Sequence, residues 1–254
     1  MEVLILGPVV VRAGGVVIAV DRPLERAALV CLALARGLAV PDSRLAEGLW
    51  GDEVRGRPAE RLWSVVSRLR ATLGAQADVV ERTAAGYRCT ATMSDLLAAE
   101  SASARVRAAE LTGDHAAVRA EVAAALGHWR GQTLADVRSA PLVAEARRLD
   151  TWRLELTTAG IAAAVESGDA DEVVTELSRL VAAHPVHETL GRLYALALYR
   201  TGRQADALSS LDRLRRAVTD RLGDAGDRHA GAADAAARSA APFGVARSHC
   251  PVSG

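Results

Sequence analysis

The sequence predicts two fold classes in series: an α+β module over residues 1–92, then an all-α module of paired helices over 93–222. Three observations predict it. Short β-branched runs closed by Gly or Pro stand at the start and again around residue 85. Between them lie three helical stretches with their own start and stop signals. Beyond Asp95 the apolar pattern is helical throughout, and three joints are alike: Leu111-Thr-Gly113-Asp114, Glu166-Ser-Gly168-Asp169 and Arg200-Thr-Gly202-Arg203.

The runs Val3-Leu-Ile-Leu6, Val9-Val-Val-Arg12 and Val16-Val-Ile-Ala-Val20 are separated by Gly7-Pro8 and Ala13-Gly14-Gly15. They read as a small antiparallel sheet. A helix follows from Pro23 to Arg36, stopped by Gly37, with Leu24, Ala27, Ala28, Leu32 and Leu34 as its apolar side. A second starts at Pro41-Asp42-Ser43, with Asp42 or Ser43 as cap, turns Leu45, Leu49 and Trp50 inward, and ends at Gly51.

The third helix is the one the module is built around. Pro58 suits a first turn because its missing N–H would be unpaired there anyway. Leu62, Val66, Leu69 and Leu73 recur at i, i+4, i+7 and i+11, a single stripe at about 100° per residue. Arg57, Glu60, Arg61, Ser64, Ser67 and Arg68 spread over the opposite side. Five arginines from Arg55 to Arg70 with one acid among them suit a phosphate-lined groove, although a solvated charged face has the same pattern. Val79-Val-Glu-Arg82 and Tyr87-Arg-Cys-Thr-Ala91, around Thr83-Ala-Ala-Gly86, then read as a hairpin.

In the helical half, Gly168 and Gly202 are 34 residues apart, the tetratricopeptide period, whereas Gly113 and Gly168 are 55 apart. The first repeat therefore carries an insertion, which holds Trp129-Arg-Gly-Gln132, Leu134-Ala-Asp136 and Ala140-Pro141. Stacked repeats bury one another's apolar faces and leave a concave surface, and Leu193, Leu196, Ala197 and Tyr199 belong to that packing or line that concavity. Leu and Ile are absent from 224 to 254, so residues 223–254 are expected to be a mostly disordered or divergent tail that cannot bury a helix face.

Composition excludes several chemistries. All 31 basic residues are Arg, which rules out a phosphate loop, kinase or Schiff base that needs Lys. The bias itself fits GC-rich coding. Net charge is zero, with 12 Arg against 10 acids in 1–92 and 16 against 18 in 93–222, so any DNA binding must come from local placement. Cys31, Cys89 and Cys250 are far apart, which argues against a disulfide framework or zinc site. Cys31 reads as a small core residue and Cys89 as half-buried. His184 and His187 flank Pro185 at a repeat junction, without a carboxylate pair to make a metal site. The motifs of serine hydrolases, zinc proteases and dinucleotide enzymes are missing, so the sequence gives no sign of an enzyme, cofactor or metal. Asp42, Asp52 and Glu53 resemble an acidic pocket only superficially. Trp50, Trp63, Trp129 and Trp152 read as packing residues, Trp63 being on the flank of the third helix. Met1-Glu2 leads straight into a strand-like run, and no apolar run reaches the roughly 18 residues of a membrane span, so the chain reads as cytoplasmic.

The order three strands, three helices, hairpin resembles the winged helix-turn-helix domain of the OmpR type. Leu6-Gly-Pro8, Leu49-Trp-Gly-Asp52, Val66-Ser-Arg-Leu-Arg70, Leu73-Gly74 and Gly86-Tyr-Arg88 fall where the SARP (antibiotic regulatory protein) family has its motifs. In that family a bacterial transcriptional activation domain of tetratricopeptide-like helices follows, with a similar Trp-Arg-Gly segment. The resemblance covers about residues 3–222 and implies a winged-helix domain over 1–92 and an activation domain over 93–222.

It also implies a DNA-binding transcriptional regulator. Its third helix would lie in a major groove, with Arg61, Ser64 and Arg68 at base edges and Ser67 on the same face. Arg57 and Arg70 would meet phosphates, and Arg82, Thr83 or Arg88 the minor groove or backbone. Tyr87 is core or a phosphate donor. The chain departs from the family at Val65, where His is common, at Glu60, where a basic or amide residue is common, and at Arg82-Thr83, where the order is reversed. Val65 can touch a thymine methyl; Glu60 can accept from cytosine N4 or orient Arg57 or Arg61. The implied partners are double-stranded promoter DNA, bound as direct repeats by a homodimer or side-by-side protomers, and RNA polymerase holoenzyme. The implied target is a secondary-metabolite gene cluster. The alternative is a helical-repeat adaptor whose winged helix no longer binds DNA.

Overall fold

The computed structural model describes residues 1–51 and 58–239, with side chains described at 1–51 and 59–221. Three strands, β1 (Glu2–Leu4), β2 (Val10–Ala13) and β3 (Val16–Ile18), form an antiparallel sheet in sequence order, pairing Val3 with Val11 and Arg12 with Val17. Helices α1 (Pro23–Leu34), α2 (Asp42–Trp50) and α3 (Pro58–Leu73) follow. A 3-10 turn over Gly74–Val79 leads into the hairpin of β4 (Val80–Thr83) and β5 (Gly86–Cys89). Each predicted element of this half is present; β1, β3, β5 and α1 are shorter than their predicted runs. α1 stops at Leu34, and its Leu24 is exposed rather than inward.

The hairpin is docked by its backbone. Val40 and Tyr87 exchange N–H···O bonds of 2.7 and 3.0 Å. Gly86 makes this possible. Its φ is +133°, and a Cβ there would sit 2.0 Å from the Val40 carbonyl oxygen, so no side chain fits. The expected side-chain cap on α2 is absent: Pro41 is the N-cap residue, and the Asp42 carboxylate instead pairs with Arg82 on the hairpin.

The helices continue with α4 (Ser94–Thr112), α5 (His115–Leu126) and α6 (Ala140–Glu166). Gly113 takes φ +68° after α4, and Asp114 caps α5 by accepting the Ala117 N–H at 2.9 Å. The segment between α5 and α6 is held by Trp129, whose indole packs on Trp152 at 5.2 Å and donates to Thr133, which donates in turn to Asp150.

The chain divides into compact units Met1–Asp169 and Ala170–Gly254. The sequence predicts a boundary at 92/93, yet one apolar cluster runs from Val3 to Ala163 across it. Polar bonds cross it as well. Asp95, 6% exposed at the start of α4, accepts the N–H groups of Ile5 and Leu6, each at 2.8 Å. Arg130 donates its N–H to the Leu6 carbonyl, and Asp136 accepts from Val9 N–H and pairs with Arg26 at 2.9 Å. The boundary is not a linker because the loop between β1 and β2 has its backbone partners in the helical half.

In the second unit α7 (Ala170–Ala183) packs on α8 (Glu188–Arg200), and α8 on α9 (Gln204–Ser239). His187 caps α8, its Nδ1 accepting the Leu190 N–H at 3.3 Å, which accounts for one of the two junction histidines. α9 corrects the expected tail: it stays helical through Ser239, although disorder is predicted from 223. Residues 224–239 lack Leu and Ile but are rich in Ala, the strongest helix former, and backbone propensity does not need a buried face. Residues 240–254, with Cys250, lie outside the described residues.

Candidate nucleic-acid interface

α3 is fixed by its apolar stripe. Leu62, Val66, Leu69 and Leu73 are all buried. Burial is worth about 1.5–3 kcal/mol for each such side chain, against roughly 0–1 for an exposed ion pair, so packing rather than arginine pairing sets where α3 lies. Val65 belongs to this core, at 2% exposure. That overturns its reading as a thymine contact. It lies about 60° from the stripe, on the flank where α3 meets both α1 and α2.

The opposite side presents Glu60, Arg61, Ser67, Arg68 and Ala71 to solvent, with Ser64 and Arg70 half-buried. The arginines differ in their neighbours. Toward α2, the Arg61 guanidinium lies over the Trp50 ring at 4.7 Å. Toward α1, Arg68 Nε lies 3.6 Å from the Glu25 carboxylate. Toward the hairpin, Arg70 lines a groove of about 540 Å3 with Asp42, Trp63, Ser67, Arg82 and Tyr87. Trp63 is 67% exposed on that flank, so it is not a packing residue in this unit. Arg57, Asp52 and Glu53 lie outside the described residues.

On the hairpin, Arg82 pairs with Asp42 and stacks over Tyr87 at 4.6 Å. Tyr87 is core, 6% exposed. Thr83 shapes the turn: its hydroxyl donates to the Gly86 carbonyl and accepts from the Ala85 N–H. Arg88 pairs with Glu81 across the two strands. Arg61, Ser64, Ser67, Arg68, Arg70 and Arg82 thus share one surface of α3 and its hairpin neighbour. Thr83 serves the turn instead.

Cys89 is fully buried, not half-buried, and burial raises its thiol pKa. The Cys31 thiol is pushed up to about 12 by the same cause, so both are poor nucleophiles. Among the described residues no group of three or more His, Cys, Asp or Glu is placed to hold a metal ion, and no helix is long and apolar enough to cross a membrane.

Comparison with known families identifies this architecture. The model of the bacterial transcriptional activator domain matches residues 94–234, more than half of the chain. The chain belongs to that family. The regulatory protein AfsR of Streptomyces griseus is 34% identical over 219 residues, which are 86% of this chain and 22% of AfsR. The regulatory protein DnrI of Streptomyces peucetius is 29% identical over 235 residues, 88% of this chain and 86% of DnrI. The solved structure of Mycobacterium tuberculosis EmbR, in complex with a low affinity phosphopeptide, is 30% identical. It superposes with a TM-score of 0.78 over 87% of this chain and 60% of EmbR. These likenesses bear out the SARP resemblance read from the motifs. The chain spans about a fifth of the length of the AfsR proteins it matches.

Two acids of this activator-family chain escape sequence reasoning: Glu25 and Asp95, both buried. The signal is present. Glu25 stands on the stripe of Ala28, Leu29 and Leu32, and Asp95 one turn before Ala99 and Ala102. A carboxylate on an apolar stripe needs a buried partner.

Proposed function

We propose that the chain is a sequence-specific DNA-binding transcriptional regulator. Residues 1–92 act as the winged helix-turn-helix and 93–222 as the activation domain. α3 enters a major groove with Arg61, Ser64, Ser67 and Arg68 toward base edges. Arg70 and Arg82, on the hairpin flank, meet the backbone, with Arg88 at its outer edge. The observation that carries this is the outer face of α3: two serines between arginines that α1 and α2 hold in place, beside a basic groove shared with the hairpin.

Zero net charge implies modest affinity for one protomer, which side-by-side protomers on direct repeats would combine. The kinship with AfsR and DnrI, both named as regulatory proteins, supports a regulatory role, and the proposal extends it to activation through RNA polymerase at a secondary-metabolite promoter. The test is a gel shift of the full chain on fragments upstream of neighbouring genes across a salt series. A specific complex that weakens steeply with salt is expected, and Arg61→Ala should weaken it by about 1–3 kcal/mol. No shift on any such fragment sinks the reading.

A second reading rests on a different feature. α8 and α9 form an apolar groove of about 540 Å3 lined by Leu196, Tyr199, Leu208 and Leu211, as a protein-binding adaptor would need. An adaptor would bind no fragment in the same gel shift.

A further inference from the structure

Buried Glu25 draws its partners from its own helix start and from α3. It is 1% exposed, in the first turn of α1. One oxygen accepts from the Thr72 hydroxyl at 2.9 Å; the other faces Arg22 at 3.2 Å and Arg68 Nε at 3.6 Å. Arg22, the N-cap residue of α1 three positions before Glu25, already supplies a counter-charge. Two of the three partners nonetheless come from α3, one turn apart on it, and one is a residue on its exposed face.

We propose that Glu25 is a positioning residue that aims Arg68 end-on at a guanine. The inference rests on the DNA-binding reading of α3. A guanidinium is a rigid planar fork. With its Nε edge turned to a buried carboxylate, Arg68 keeps the Nη1–Nη2 end for a ligand, and its side chain remains 49% exposed. That end matches the O6 and N7 acceptors of guanine in the major groove, the commonest specific arginine contact. The nearby carboxylate also offsets the arginine's charge as seen by a phosphate, while its directional N–H bonds persist. Base reading is thereby favoured over backbone attraction. Arg70 has no such buried anchor among the described residues and lines the hairpin groove, which suits a phosphate.

The test uses the full chain and a pool of random duplexes of about 30 base pairs, three helical turns. Wild type, Glu25→Gln, Arg68→Ala and the double variant are each taken through selection and sequencing, and their salt slopes are measured on the unselected pool. Wild type should enrich a site containing a guanine whose preference falls roughly 5- to 150-fold in Arg68→Ala, with little change in slope. Glu25→Gln should lose the same preference, and its slope should steepen by about 0.9, because the released arginine reaches a phosphate. The double variant should match Arg68→Ala. Unchanged guanine preference and slope in Glu25→Gln overturn the proposal.

If Glu25→Gln does not fold, Glu25→Asp decides. It keeps the charge but draws the carboxylate back by one methylene from Arg68, so the guanine preference should fall; an unchanged preference overturns the proposal. A wild type that enriches a site indifferent to Arg68→Ala defeats this inference alone. A wild type that binds no duplex defeats the DNA reading with it.

Discussion

The two compact units hold themselves together differently. In Met1–Asp169, carboxylates reach far along the chain: Asp95 to Ile5 and Leu6, Asp136 to Val9 and Arg26, and Glu25 to the Thr72 hydroxyl, with Arg68 3.6 Å away. In the second unit the side-chain bonds described for α8 and α9 stay local, such as His187 to Leu190, Thr201 to Ala197 and Arg203 to Asp206. There the helices meet through small and aliphatic residues, Ala195, Leu198 and Ala207 among them. Directional bonds fix where a side chain points, whereas apolar packing fixes only how closely helices approach. The first arrangement suits a surface that must present guanidinium groups in set directions. The second leaves an apolar outer face, with Tyr199 61% and Leu208 67% exposed.

The strongest test of this contrast is Asp95→Ala. It strips two buried N–H groups of their acceptor and removes the carboxylate that Arg130 Nη2 faces at 3.5 Å. A loss of about 3–5 kcal/mol in urea unfolding is expected, with unchanged m-value. A cost near zero would show that the long-range carboxylates are incidental. Gly86→Ala comes next. Its backbone strain and the collision with the Val40 carbonyl should undock the hairpin at a cost of about 2–3 kcal/mol, read from the melting temperature. The same variant should bind DNA less well than wild type at equal folded fraction if the hairpin contributes to the interface. Smallest is Leu208→Ser on the outer face of α9, where a change within about 0.5 kcal/mol is expected. A larger loss would mean that this face is packed, and would remove half of the contrast.

Element order was legible because it follows from apolar period and turn chemistry, both local. The stripe Leu62, Val66, Leu69 and Leu73 named the buried side of α3 correctly. Val65 was misplaced because a helix covered by two neighbours buries a wider arc than its own periodicity reveals. That the two sides of the 92/93 boundary share a core was not legible, because the bonds crossing it are made by backbone groups of Ile5, Leu6 and Val9, which leave no trace in side-chain pattern. The C-terminal part of α9 has no apolar face to mark it as helix, and alanine's propensity alone carries it. Of the interface, the residue types could be read from the sequence. Which arginine is held by which neighbour could not, since Glu25 and Trp50 come from other helices.

One backbone contact has an evolutionary reading. The Met1 carbonyl accepts the Thr92 N–H at 3.1 Å, and the Thr92 carbonyl accepts the Val3 N–H at 2.9 Å. The path of the first 92 residues therefore starts and finishes side by side, like the two ends of a cassette. Such a segment can be spliced into a longer polypeptide, or its sequence order rotated by joining the old ends, without spreading the flanking chain. Transplantation between regulators of very different length then asks for compatible seats for Leu6-Gly-Pro8 rather than for a new fold.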